Sequence, residues 1–173
     1  MVVVDMRGSG DSAGVLTDEY TIQEMADTCE VIEWLAEQPW CSGSVGMMGK
    51  SWGGFNALQT AFLLPPALQA VVAVCATVGR IADDNLCKGG GLLGENFGWG
   101  TVMLLYSNRP ADPMLRADWR EDWLARLHAN PWLAPRRTDL QERSAYWKHG
   151  SVSEYYSRMT VPTMIWAVGP TIT

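Results

Sequence analysis

Apolar residues in this chain come in short unbroken runs separated by longer stretches at helical spacing. Val2, Val3 and Val4 form a β-branched run of the kind found in strands covered on both faces. The run leads into a loop where Asp5 and Arg7, flanking a turn rich in glycine, are read as holding the backbone by hydrogen bonds. Ile22, Met25, Ala26, Cys29, Ile32 and Ala36 then recur at helical spacing behind Thr21-x-x-Glu24, a capping-box pattern, and Pro39 forbids continuation. Residues 44–48 read as a strand, residues 52–64 as a helix stopped by Pro65 and Pro66, and residues 68–75 as a buried strand. Strand, helix, strand, helix, strand predicts an α/β fold. Its sheet is mostly parallel, helices cover the faces, and ligands gather at the carboxyl ends of the strands.

From residue 81 to residue 156 the strand-like runs vanish, and Trp99, Tyr106, Trp119, Trp123, Trp132, Tyr146 and Trp147 appear among charged residues. This stretch is expected to be a helical insertion. Leu115, Trp119, Trp123 and Leu127 share one face of an expected helix, Asp122 and Arg126 can pair on another, and Thr138-x-x-Gln141 would cap a shorter one. Tryptophans at this spacing usually face a core, although in an insertion facing a catalytic residue some can wall a pocket. Residues 161–168 return to strand composition. The expected organisation is thus a main domain over residues 1–80, an insertion over 81–156, and the resumed main domain over 157–173.

The chemistry concentrates at Gly49-Lys50-Ser51-Trp52-Gly53. A serine on a glycine-framed bend between strand and helix is nucleophile-elbow architecture: glycines two positions either side avoid Cβ clashes, and the helix start offers N–H groups to an oxyanion. An ordinary glycine turn is the bland alternative. Asp83, Asp84 and Glu95, with Trp99 nearby in sequence, are candidates to receive a substrate ammonium and an apolar group, although acidic clusters usually face solvent. Triads of this architecture run serine, acid, histidine in chain order, yet the histidines after Ser51 are His128 and His149 and no acid follows Glu154. His149 is read as a surface or hydrogen-bonded residue rather than a base, and His128 as favourable at a helix C-terminus. The run Gly89-Gly90-Gly91 lacks the G-K-[ST] ending of a phosphate loop, so no nucleotide is implied.

Composition narrows the classes. Of the 173 residues 47% are hydrophobic and 18% charged, and no apolar run approaches the roughly 20 residues of a membrane helix. A net charge of -6 disfavours nucleic acid as a partner. Cys29, Cys41, Cys75 and Cys87 are widely separated and mostly read as buried thiols, so neither a metal nor another cofactor is expected. No signal-peptide pattern opens the chain, which favours a cytoplasmic location.

Taken together, several segments carry a family likeness: Val4-Asp5-Met6-Arg7-Gly8-Ser9-Gly10-Asp11-Ser12-Ala13-Gly14, Glu33-Trp34-Leu35-Ala36-Glu37-Gln38-Pro39-Trp40, Val45-Gly46-Met47-Met48-Gly49-Lys50-Ser51-Trp52-Gly53-Gly54 and Tyr146-Trp147-Lys148-His149-Gly150-Ser151-Val152. The chain resembles the cocaine-esterase and X-Pro dipeptidyl-peptidase group of α/β-hydrolases, which includes the α-amino acid ester hydrolases. The resemblance implies an α/β-hydrolase core interrupted by a helical cap, a small ester or short peptide as substrate, Ser51 as nucleophile and the Trp52 backbone N–H as one oxyanion donor. It implies that the second donor, a tyrosine hydroxyl, lies upstream of the D-x-R-G-x-G segment. The acid would fall where Thr173 stands, and the histidine further downstream, so the chain as given is expected to be a nearly inert fragment. The resemblance also places a strand between residues 2–4 and the elbow strand that this sequence does not contain, from which open sheet edges and oligomerisation are expected. The competing expectation is a non-catalytic module of the same fold that only binds a ligand or partner.

Overall fold

A computed structural model describes residues 1–85, 91 and 94–167. Cys87, the glycines at 89 and 90, the end of the last predicted strand at Val168, and Thr173 at the expected acid position lie outside the described residues. The chain divides into two compact units, one formed by Met1–Thr21 and Asn85–Glu142, the other by Ile22–Asp84 and Arg143–Thr173.

The second unit holds the sheet. Helix α1 (Ile22–Ala36) precedes strand β1 (Val45–Lys50), helix α2 (Trp52–Leu63) and strand β2 (Leu68–Val74), and strand β3 (Thr163–Trp166) closes the series. All pairings are parallel, in the order β1-β2-β3, with Met48 opposite Val72 and Val72 opposite Met164. One face is covered: Ile32 of α1 and Ala57 and Ala61 of α2 pack on Leu68 and Val71, while Leu58 packs on Ala73 and Val152. Alanines at 57 and 61 let α2 lie close on the strands, and each fully buried Leu or Val here contributes about 1.5–3 kcal/mol. The opposite face carries Met48, Met164 and Trp166, which are 75%, 62% and 65% exposed. The sheet is therefore clothed on one side, although the β-branched runs predicted burial on both.

In the first unit the predicted strand over residues 2–4 does not form. Val2, Val3 and Val4 are exposed and have no ladder partner among the described residues, so β propensity has nothing to act on. The loop after them is held by Asp5, one of the two residues expected to do so: Asp5 Oδ2 accepts the Asp11 N–H at 3.0 Å, and Ser12 Oγ donates to the Asp5 carbonyl at 2.8 Å. Helices α3 (Gly94–Ser107), α4 (Trp119–Ala129) and α5 (Leu133–Asp139) make up the rest, with α6 (Ala145–Lys148) belonging to the second unit. A Cβ on Gly100 would fall 2.6 Å from the Ala134 backbone, so α3 and α5 approach as closely as glycine permits.

Helix α4 departs from its apolar pattern. Trp119 and Trp123 stack at 6.3 Å on its inner side, but Leu115 lies before the helix and is exposed, as is Leu127. Their place is taken by the Asp122–Arg126 pair, at 2.6 Å, with Arg126 buried. Arg126 also donates to the carbonyls of Gly10, Ser12 and Arg109 at 3.0, 2.6 and 3.1 Å. Loop carbonyls that need donors outcompete leucines for that face. Thr138 likewise sits near the end of α5 rather than at the start of a helix, and its hydroxyl donates back to the Pro135 carbonyl at 2.8 Å. Of the described cysteines, Cys29 and Cys41 are half-buried and Cys75 is exposed, so none is the fully buried thiol expected. Burial, with Glu33 nearby, pushes the Cys29 thiol above its ordinary pKa.

Candidate active site

Strand β1 ends at Lys50 and α2 begins at Trp52, leaving Ser51 as the single residue of the bend. Its backbone sits at φ 54°, ψ -117°, a conformation that costs a non-glycine residue about 1–3 kcal/mol and persists only when neighbours enforce it. Two hydrogen bonds do so. The Ser51 amide donates to the Val74 carbonyl at 2.8 Å, tying the bend to the end of β2, and the Ser51 carbonyl accepts the Phe55 N–H at 3.0 Å. The residue is exposed, and its hydroxyl has no hydrogen-bond partner among the described residues.

The glycine frame works differently from the sequence reading. A Cβ on Gly49 would fall 2.0 Å from the Gly53 carbonyl oxygen, and one on Gly54 would lie 2.7 Å from the Ala76 Cβ. A Cβ on Gly53 would meet nothing within 4 Å. The tight positions are thus Gly49 and Gly54, and Gly53 supplies the backbone that Gly49 must clear.

Trp52 opens α2, where N–H groups converge and the helix dipole favours an anion. Its indole Nε1–H donates to Glu24 Oε2 at 2.8 Å, and Glu24 is buried on α1. The capping-box pattern gave Glu24 a local role and missed this long-range one; the signal available was an acid among apolar positions of an amphipathic helix. Replacing Glu24 with alanine removes the Oε2 acceptor of a half-buried indole N–H, at a cost of about 1–3 kcal/mol, whereas glutamine keeps an acceptor there and loses less than about 1 kcal/mol. Urea unfolding of the two variants measures this. Equal losses from both would show that the indole bond carries no stability.

The other candidates belong to both units. Asp83 is exposed and Asp84 half-buried in a wide helical turn, Arg80–Asn85, and both acids belong to the same unit as Ser51. Glu95 and Trp99 belong to α3 in the first unit, where Trp99 stacks against the Arg137 guanidinium, 4.4 Å from its ring centroid. His128 is exposed in the last turn of α4. His149 is half-buried after α6, and its carbonyl accepts from Arg80 at 3.1 Å. It lines a cavity of about 530 Å³ to which Ser51 does not contribute. Among the described residues no cluster of three or more His, Cys, Asp or Glu is placed to hold a metal, and no helix is long and apolar enough to cross a membrane.

The chain as a whole is matched by known proteins. The sequence profile of the X-Pro dipeptidyl-peptidase (S15) family covers residues 1–168. The chain belongs to the S15 family. A Mycobacterium bovis protein that carries a serine-esterase name is 36% identical over 89 residues, which is 51% of this chain and 14% of that protein. Cocaine esterase of Rhodococcus sp. is 26% identical over an alignment covering 96% of this chain and 33% of the esterase. A crystal structure of a CocE/NonD family hydrolase from Staphylococcus aureus superposes with a TM-score of 0.68 at 24% identity, covering 91% of this chain and 25% of that one. An α-amino acid ester hydrolase structure gives 0.65 at 22% identity, covering 93% and 30%. The S15 chain has the α/β-hydrolase fold, and it spans between 14% and 33% of the length of these relatives.

Proposed function

We propose that this S15 chain carries the nucleophile segment of a serine hydrolase acting on acyl esters or amides. Ser51 Oγ attacks the acyl carbon and gives its proton to a base; the tetrahedral oxyanion collapses with loss of an alcohol or amine, and water then releases the acid from the acyl-enzyme. The oxyanion would be met by the Trp52 backbone N–H at the start of α2. The observation that supports this reading is the left-handed backbone at Ser51, enforced by Val74 and Phe55 and admitted by Gly49. An exposed nucleophile on a tight strand-to-helix bend requires such a backbone. Asp83 and Asp84 belong to the same proposal, as the acids that would face a substrate ammonium.

No histidine is hydrogen-bonded to the Ser51 hydroxyl among the described residues. An unactivated serine is a weak nucleophile, and a site lacking a triad member retains only about 10³ to 10⁴-fold catalysis over water. The test is therefore covalent labelling rather than turnover. Incubation with a fluorophosphonate, followed by peptide mass spectrometry, is expected to give slow, single modification at Ser51, faster with imidazole added as an external base and lost in Ser51→Ala. Label spread over many serines, or unchanged in Ser51→Ala, would support the non-catalytic module instead.

A further inference from the structure

The cavity beside His149 has a chemistry of its own. It is bounded by α1, α2 and residues 145–158, all within the second unit. Its apolar wall is formed by Phe62 and Tyr155, whose ring centroids are 5.2 Å apart. The Arg158 guanidinium lies 4.4 Å from the Phe62 ring centroid, and Lys148 contributes a second cation to the lining. Among the described residues no carboxylate lines the cavity.

That absence counts because carboxylates are in excess in this chain, whose net charge is -6. Arg116, Arg126, Arg136, Arg137 and Arg143 each hold an Asp or Glu. Among the described residues Lys148 and Arg158 hold none, as do the exposed Lys50, Arg109 and Arg120, but only Lys148 and Arg158 of these line the cavity. The wall is also specifically built. Gln59, 1% exposed, donates through Nε2 to the Gly150 carbonyl at 3.0 Å, and its side-chain oxygen has no partner among the described residues. Gly150 has φ +77°, and a Cβ there would fall 2.5 Å from that Nε2, so this contact requires glycine. Two cations without counter-ions over an aromatic wall suit an anion with an apolar body better than a compact, strongly hydrated one such as phosphate.

We propose that this cavity binds a small organic carboxylate with an aromatic or branched body, its charge between Lys148 and Arg158 and its body against Phe62 and Tyr155. The site is separate from Ser51 and does not depend on the hydrolase reading. It would also take up acids of the kind that ester or amide hydrolysis releases.

Isothermal titration of the whole chain with phenylacetate tests the proposal, in parallel with the neutral isostere phenylacetamide and with inorganic phosphate. Phenylacetate is expected to bind saturably in the millimolar range, with phenylacetamide about tenfold weaker, since two charge-assisted contacts are lost. Lys148 and Arg158 are exposed, so the double variant Lys148→Ala/Arg158→Ala should keep the parent melting temperature while losing about tenfold in affinity. Ser51→Ala should bind as the parent does. Equal affinity for acid and amide, phosphate binding as well as phenylacetate, undiminished binding by the double variant, absence of saturable binding, or loss of binding in Ser51→Ala would each overturn the proposal.

Discussion

Gly49→Ala is expected to destabilise the second unit by about 3 kcal/mol or more, a large share of the roughly 5–15 kcal/mol that holds a domain together. The added methyl would sit 2.0 Å from the Gly53 carbonyl oxygen and 2.2 Å from its carbon. Neither atom can retreat cheaply, because Gly53 belongs to the first turn of α2 and that turn is tied through Ser51 to both β2 and Phe55. Relief would require moving the start of the helix away from the strand, which breaks the bend that presents Ser51. Gly53→Ala is the matched control: its Cβ meets nothing within 4 Å, and alanine is favoured over glycine inside a helix, so a gain of up to about 1 kcal/mol is expected. Thermal and urea unfolding of the two variants decide the matter. A Gly49→Ala protein as stable as the parent would show that the elbow is not the tight junction described.

The contrast between these glycines shows what the sequence could and could not disclose. Each of α1, β1, α2, β2 and β3 falls where apolar runs, helical spacing and prolines placed it, because those signals depend on near neighbours in the chain. The elbow was legible for the same reason. Which glycine is sterically required was not, since that depends on α2 folding back over β1. Glu24 escaped because its partner lies 28 residues away. The face of α4 was misassigned for a related reason: apolar spacing measures what a helix could bury, while Arg126 is buried by carbonyls of Gly10 and Ser12 more than 110 residues distant in sequence. Residues 2–4 carry strong β propensity and form no strand, because propensity cannot supply a partner.

The first unit has its own critical contact, again invisible to local spacing. Arg137 and Glu19 form an ion pair at 2.7 Å with side chains only 2% and 0% exposed. The same guanidinium donates twice to Asn96 Oδ1, at 3.2 and 2.9 Å, and stacks on Trp99, while Asn85 Nδ2 donates to the Arg137 carbonyl at 3.1 Å. These bonds join residues of the N-terminal segment, α3 and α5. Arg137→Met leaves a buried carboxylate without its counter-ion and an amide oxygen without donors, and it is expected to cost about 3–5 kcal/mol. The penalty comes from the stranded charge more than from the attraction lost, so removing both partners should be far milder. The double variant Glu19→Leu/Arg137→Met is therefore expected to recover most of that loss, with Asn96 accounting for the remainder. Urea unfolding of parent, both single variants and the double variant gives the coupling directly. If Arg137→Met alone loses less than about 1 kcal/mol, or the double variant loses the sum of the two singles, the pair is not the joint that orders this unit.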